Sequence, residues 1–338
     1  MDLPTLWFVL IAGLLTGFFI LDGADYGVGF WLPLLGKDDG ERRVLLNTIG
    51  PFWDGNEVWL VGAGAALFAA FPFWYATLFS SLYIPLTLLL VALILRGVAF
   101  EFRSQVEDRR WRAFWDWAFF GGSLLPAFLW GVVMGTLGRG LPIDKDWEFA
   151  GTFWDLVSPF ALFSGLTYTL LFAFHGAVYL TLKTQDDLRA RAEMWVRRLS
   201  WPLLGVMLAF VAWAVLSSGI FAPLTGAGVF LIALAAGWLW WLTRQACFTG
   251  HECRALAGSG LMIALMTVVI FAGSYPYALI STLDPTWSMT VHSAAASDYT
   301  LRVLTIVVAI CLPLIIAYQT WAHRVLRGRV GMGDELHY

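Results

Sequence analysis

Four carboxylates near the start of the chain have the spacing of groups that could relay protons. Asp22 and Asp25 lie three residues apart in LDGADYGVGF, and Asp54 and Glu57 lie three residues apart in PFWDGNEVW. Residues three apart share one face of a helix. Carboxylates in a poorly solvated site can bind and release protons near neutral pH. One interpretation of the two pairs is therefore a proton path.

A purely structural interpretation of the same carboxylates stays open. Asp54 could cap a helix that starts beside it, as aspartate often does. Asp22 and Asp25 could pair with Arg42 or Arg43 and hold helices together.

Other charged residues fit structural roles from their positions alone. Asp116 and Asp155 lie near the ends of apolar segments and look like interface residues. Arg96 is followed by Glu101 and Arg103, a pattern that favours a snorkelling and ion-pairing cluster.

Histidine and cysteine usage argues against a metal centre. The histidines are His175, His251, His292, His323 and His337. Only His175 lies clearly within a long apolar segment, and haem iron needs an axial ligand such as histidine or methionine. One internal histidine could hold one five-coordinate haem at best, whereas hydrogen bonding between helices is the commoner role.

Cys247 and Cys253 flank His251, but structural metal sites usually have four ligands. We expect these thiols to lie in a cytoplasmic turn and to stay reduced. The sequence carries no haem-attachment, phosphate-loop or dinucleotide motif.

Composition places these residues in a membrane. The chain is 59% hydrophobic and 13% charged, with a mean hydropathy of +0.72, whereas a soluble domain has roughly 25% charged residues. The net charge of −3 gives no argument for nucleic acid. The N-terminus lacks a basic region ahead of its apolar run, so we expect a retained helix rather than a cleaved signal peptide.

Hydropathy predicts an all-α polytopic protein with about nine spans in one integral membrane domain over residues 1–338. The predicted spans are 4–33, 51–73, 75–101, 113–137, 153–182, 197–219, 224–245, 255–282 and 299–325. The link between the second and third spans is very short, around Phe73 and Trp74. Counting from Pro4 at 1.5 Å per residue puts Asp22 and Asp25 about 27–32 Å along the first span, near its far end.

The basic residues segregate when links are assigned to alternating sides. Eighteen fall on one side, and three (Arg139, Lys145 and Arg302) fall on the other. The positive-inside rule makes the first side cytoplasmic. We therefore expect the N-terminus outside, the C-terminus inside and an odd number of spans. All four acidic candidates then lie near the cytoplasmic end.

A weak internal repeat divides the spans. A shift of 153 residues aligns FILDGADY at 19–26 with FAFHGAVY at 172–179. Spans 1–4 (about 4–137) and 5–8 (about 153–282) would then be two parallel four-helix units, with span 9 (about 299–325) peripheral.

These motifs resemble those of the second subunit of cytochrome bd-type quinol oxidases. The resemblance is carried by DGADYGVG at 22–29, ERR at 41–43, NTIGPFWDGNEVWL at 47–60, AALFAAFP at 65–72 and WRAFWDW at 111–117. YPY at 275–277 and the stretch 294–300 are also similar. The similarity covers the whole chain, and the first 120 residues are the most specific part.

The resemblance implies nine spans, arranged as two four-helix bundles and a peripheral helix. It implies a haem-free subunit paired with subunit I, which carries two haems b, haem d and the quinol site. The complex oxidises quinol, reduces oxygen to water with cytoplasmic protons and contributes to the proton motive force. The aspartate matching Asp54 belongs to the family's proton path, and those matching Asp22 and Asp25 lie near it.

Two features depart from some relatives. Glutamine replaces His175 in some members, which makes this position a poor ligand candidate. The loop at 217–224 is shorter than in some members, so whether a structural quinone binds stays open. A small single-span accessory subunit is a separate open expectation.

The main alternative is a proton-coupled secondary transporter, although carriers usually place their sites near the midplane. A further alternative is an assembly subunit without a proton role.

Overall fold

A computed structural model describes residues 2–217, 226–334 and 336. Its elements are α1 (Leu3–Leu35), α2 (Asp39–Ile49), α3 (Trp53–Ala70), α4 (Pro72–Ser81), α5 (Tyr83–Arg103), α6 (Arg109–Arg139), α7 (Phe153–Leu156), α8 (Pro159–Lys183), α9 (Asp186–Ser217), α10 (Gly226–Phe248), α11 (Glu252–Ser274), β1 (Tyr277–Leu279), β2 (Met289–Thr290), α12 (Val291–Ala294) and α13 (Asp298–Val325). Helices dominate because each satisfies its own backbone hydrogen bonds, which a bilayer cannot do. The prediction of an all-α polytopic protein is confirmed.

Eight of the described helices are long and apolar enough to cross a membrane: α1, α5, α6, α8, α9, α10, α11 and α13. The predicted second span, 51–73, corresponds to the shorter α3, whose first turns carry Asp54, Asn56 and Glu57. Hydrogen bonds nevertheless place the two ends of α3 at opposite ends of the molecule: Gly55 O accepts from Gln319, late in α13, and Ala70 O accepts from Ala296, just before α13.

Several predicted boundaries were wrong. The span predicted at 75–101 divides at Leu82 into α4 and α5, so the very short link around Phe73 is instead a helix of ten residues. The span predicted at 255–282 ends at Ser274, because Pro276 cannot continue the helix, and β1 follows. Helix α2 was not predicted, and α9 begins at Asp186 rather than near 197. The loop at 217–224 and the start of the seventh predicted span fall largely outside the described residues.

The long helices form two sets with similar internal contacts. Within the first, α1 packs on α3 and α6, and α5 packs on α6; within the second, α8 packs on α9 and α11, and α10 packs on α11. These are the pairs that the 153-residue repeat would equate. The sets join where α8 meets α6 and α1. Between α1 and α8, Gly27 and Gly176 lie face to face, since a Cβ on either would strike the other's backbone. Helix α13 packs on α3 and α1 at the edge.

The basic links meet at one end of the molecule, which we call the basic end. There Arg191 contacts Glu41, and Arg189 and Arg329 both contact Glu252. At the opposite end, Leu141 N donates to Ile280 O at 2.9 Å, and Thr77 Oγ1 donates to Trp147 O at 2.9 Å. The predicted segregation of basic links is therefore a segregation in space.

Candidate functional site

Arg96 lies at the centre of a buried ionic cluster that joins α1, α3 and α5. Its Nη2 donates to Asp22 Oδ1 at 2.7 Å and to Glu57 Oε1 at 2.6 Å. Its guanidinium carbon also lies 4.6 Å from the ring centroid of Tyr26. Asp22 and Arg96 are fully enclosed, whereas the Glu57 side chain is 26% exposed. The cluster thus runs from the interior towards the surface of α3.

Asp25 has a different environment from Asp22. It is buried, and Asn56 Nδ2 donates to its Oδ2 at 2.8 Å. Asp25 forms no ion pair with any described residue, and its hydrogen-bond donor is the amide of Asn56. A buried carboxylate without a fixed counter-charge is better suited to exchanging a proton than one locked to arginine.

The cluster keeps unused hydrogen-bonding capacity. Five buried polar atoms lack a partner among the described residues: Asp22 Oδ2, Tyr26 OH, Asn56 Oδ1, Arg96 Nε and Arg96 Nη1. Most buried polar groups are satisfied by protein or ordered water. Each of these atoms can still donate or accept a further hydrogen bond.

Asp54 lies at the surface, one helical turn from Glu57 on α3. The capping interpretation was wrong, because α3 begins at Trp53 and Phe52 is its N-cap, without a side-chain hydrogen bond. An exposed Asp54, a partly exposed Glu57 and a buried Asp22 form a sequence of carboxylates of increasing depth.

A cavity of about 510 Å³ opens beside the cluster, between α1, α3, α8, α11 and α13. Its polar lining includes Asp25, Asn56, His175 and Tyr179. The stacked rings of Phe52 and His323 line the part of the cavity that is nearest to the basic end of the molecule. The rest of its lining is mainly aliphatic.

His175 uses both ring nitrogens within the protein. Its Nδ1 lies 2.7 Å from Ser259 Oγ, and its Nε2 lies 3.0 Å from Ile20 O. A haem ligand needs one free nitrogen, so this arrangement does not fit axial ligation. It fits hydrogen bonding between α8, α11 and α1.

The structure corrects the other pairings that the sequence had suggested. Arg42 pairs with Asp116 at 2.8 Å, and Arg43 donates to Leu336 O at 2.6 Å, so neither reaches Asp22. Arg96 does not snorkel, since it is 1% exposed.

Asp116 does lie between helices, where it accepts from both Arg42 and Arg103. Asp155 is exposed; its side chain accepts from Thr152, which lowers the pKa of its carboxyl. Asn56 was missed, although it stands between Asp54 and Glu57 in the motif.

The cysteine and histidine segment forms no metal site within the part of the chain that the structure describes. His251 Nδ1 lies 2.9 Å from Thr249 Oγ1, and Cys247 and Cys253 are free.

The fold and the site together define a polytopic α-helical membrane protein with a buried ionic cluster towards one end of its bundle. A family model for cytochrome bd terminal oxidase subunit II matches residues 3–326. The chain therefore belongs to that family, and it is a subunit of a bacterial membrane oxidoreductase with a subunit I partner.

Individual relatives agree with this assignment. The cytochrome bd ubiquinol oxidase subunit 2 of Bacillus subtilis is 40% identical, covering 100% of this chain and 99% of the relative. The cytochrome bd-I ubiquinol oxidase subunit 2 of Escherichia coli K12 is 33% identical, covering 97% and 95%. A chain of the bd oxidase from Geobacillus thermodenitrificans has the same fold, with a TM-score of 0.76, 18% identity, and coverage of 96% of this chain and 98% of that one.

Proposed function

We propose that this chain is the haem-free subunit of a cytochrome bd quinol oxidase, and that it stabilises subunit I and supplies protons to it. The observation that carries the proposal is the graded set of carboxylates around Arg96, from exposed Asp54 through Glu57 to buried Asp22, with Asp25 alongside. The reaction is oxidation of quinol and reduction of oxygen to water, a step that consumes protons.

The carboxylates have different roles in this proposal. Asp54 takes up protons at the surface, and Glu57 receives them one turn further along α3. Arg96 fixes the charge of Asp22 and sets the local potential. Asp25, which has a hydrogen bond from Asn56 and no ion pair with the described residues, is the group best able to alternate between charged and neutral forms.

Proton uptake requires these groups to face the cytoplasm. The clustering of basic links supports an orientation with the basic end inside, which puts the N-terminus outside and the C-terminus in the cytoplasm. Consumption of protons on that side contributes to the proton motive force.

The partner's haems, two haems b and haem d, must lie within reach of this path. We infer that subunit I docks where α3, α5 and α13 present exposed apolar side chains, such as Val61, Ile94 and Ile310. Helix α13 supports this, because Leu301 is its one buried residue. The same exposed faces leave room for a small single-span accessory subunit.

The cavity beside Asp25 fits a structural quinone. Its mainly aliphatic lining suits an isoprenoid tail, and the second N–H of the Asn56 amide, beside the one that Asp25 accepts, is placed to donate to a ring oxygen. This ligand would be structural, since the quinol that is oxidised belongs to subunit I. The repeat and the matching helix contacts also support two four-helix units within one integral membrane domain.

The first test is purification of the complex through a tag on this chain, in mild detergent, with reduced-minus-oxidised visible spectra. Haem b and haem d bands with a larger co-purifying partner are expected. A colourless chain that comes out alone in several detergents would overturn the partnership. The proton-coupled transporter would then be tested by proteoliposome flux, although the ionic cluster near one end does not favour it.

The second test addresses the path. Asp25→Asn and Asp54→Asn are each expected to slow oxygen consumption with quinol, on the order of 100-fold for Asp25, while the haem bands and yield stay unchanged. Asp155→Asn is the matched control, an exposed carboxylate at the opposite end of the bundle. Full turnover in both variants, in a fully assembled complex, would leave only the assembly role.

A further inference from the structure

A second site lies at the basic end, away from the carboxylate path. A cavity of about 470 Å³ opens between the α1–α2 turn and the α5–α6 turn. Its lining is ionic, and the basic members are Lys37, Arg42, Arg109 and Arg112.

A network of ion pairs neutralises part of this positive charge. Asp116 accepts from Arg42 and Arg103, and Asp39 accepts from Arg103 and Arg112. Arg103 is 2% exposed, and its Nη1 has no partner among the described residues.

Two basic side chains of the cavity remain available. Lys37 and Arg109 are exposed and form no ion pair with the described part of the chain. Counted with Arg103, the site has five cations against the four carboxylates Asp38, Asp39, Glu107 and Asp116. The excess is a single positive charge, which one phosphodiester would neutralise.

A separate apolar groove begins one helical turn further along α6. It has a volume of about 620 Å³ and is lined by α5, α6 and α8, with Thr169 as its one polar residue. Ala113 and Trp117 line the ionic cavity, and Gly121 and Leu125 line the groove. These four residues follow one another at intervals of four, so they lie on one side of the helix.

We propose that this composite site binds one anionic phospholipid with a single phosphodiester charge. The phosphate lies against Lys37 and Arg109, and the acyl chains lie in the groove beyond Trp117. Basic pockets between helices at the membrane surface bind anionic headgroups, and tryptophan favours this depth. The occupied site would fasten the α1–α2 and α5–α6 turns together.

The test is lipid retention by the complete complex, purified with subunit I and exchanged into nanodiscs of phosphatidylcholine containing a small fraction of phosphatidylglycerol. Retained phosphatidylglycerol is counted by native mass spectrometry. Each basic side chain near a membrane surface contributes about fivefold. The double variant Lys37→Gln/Arg109→Gln is therefore expected to retain this lipid about 30-fold more weakly. The ion-pair network of Asp39 and Asp116 stays intact in this variant, because neither substituted residue belongs to it.

A second variant probes the groove. A Cβ at Gly121 meets open space and Gly121 lines the groove, so Gly121→Leu is expected to extend into the groove and to expel the lipid. The matched controls are Arg110→Gln, a neighbouring cation outside the cavity, and Gly205→Leu, a glycine on α9 that also has open space.

Three outcomes overturn the proposal. One is unchanged phosphatidylglycerol retention in both site variants. Another is displacement of the bound species by inorganic phosphate alone, which would mean a phosphate site. The third is loss of subunit I from Gly121→Leu but not from Gly205→Leu, which would mean that the groove receives a partner helix.

Discussion

Asp22 and Arg96 form an ion pair between α1 and α5, with 2.7 Å between Oδ1 and Nη2, and their side chains are 0% and 1% exposed. The cost of burying two charges offsets much of their attraction. Removing one partner is far worse, because the other charge then stays buried and unpaired. The pair therefore determines how α1 and α5 can dock.

Arg96→Gln is expected to destabilise the folded complex by about 3–5 kcal/mol, the usual cost of breaking a buried ion pair. Asp22→Asn/Arg96→Gln should cost less than Arg96→Gln alone, because no charge is stranded on Asp22, although Glu57 loses its partner in both. Thermal unfolding of the purified complex measures both effects. Arg110→Gln, an exposed cation, is the control. A double variant less stable than the single one would contradict a paired role.

The contact between Gly27 and Gly176 is a second determinant of packing. A Cβ at Gly27 would strike Phe172 O and the backbone of Gly176, so α1 and α8 would have to separate. Gly27→Ala is expected to lower stability by about 1–3 kcal/mol, the usual cost of overpacking. Gly13→Ala on the same helix meets open space and serves as the control. Equal thermal stability of the two variants would refute the close approach.

Substitutions of His175, on α8, test whether this histidine has a structural role. Loss of its hydrogen bonds to Ser259 and Ile20 leaves buried groups unpaired, at about 1–3 kcal/mol. We expect His175→Ala to lose thermal stability and His175→Gln, which keeps a donor and an acceptor, to lose less. Visible haem spectra of both assembled complexes should match the wild type. A lost or shifted haem band in His175→Gln would instead indicate ligation.

The motifs predicted which elements carry the site but not how the charges pair. The two carboxylate pairs were found from their spacing, because helical periodicity is local. The partner of Asp22 was not found, since Arg96 lies 74 residues away and its spacing suggested snorkelling. Helix α2 was missed because an amphipathic surface helix carries no hydropathy signal. Long-range pairing and short helices depend on tertiary packing, which local patterns do not encode.

The start of α1 offers a pH dependence outside the membrane-spanning segments. Asp2 accepts from Thr5 N at 3.0 Å and lies 2.7 Å from His292 Nε2. These contacts, first those with Thr5 and then that with His292, lower the pKa of Asp2 from 3.8 to about 2. A lowered folded-state pKa means that the carboxylate stabilises the fold above pH 3.8 and loses this effect as the pH falls to about 2.

We therefore expect Asp2→Asn, which keeps a capping oxygen but no charge, to lower amide-exchange protection in the first turn of α1 at pH 5 and above. The difference from wild type should shrink below pH 3.8, be small near pH 2, where the wild-type carboxylate is half protonated, and vanish at lower pH. Exchange rates corrected for intrinsic pH dependence measure this. Asp146→Asn, in the loop at the same end of the bundle, should leave α1 unchanged. A difference that stays constant from pH 5 to pH 2 would show that the Asp2 charge does not stabilise this helix terminus.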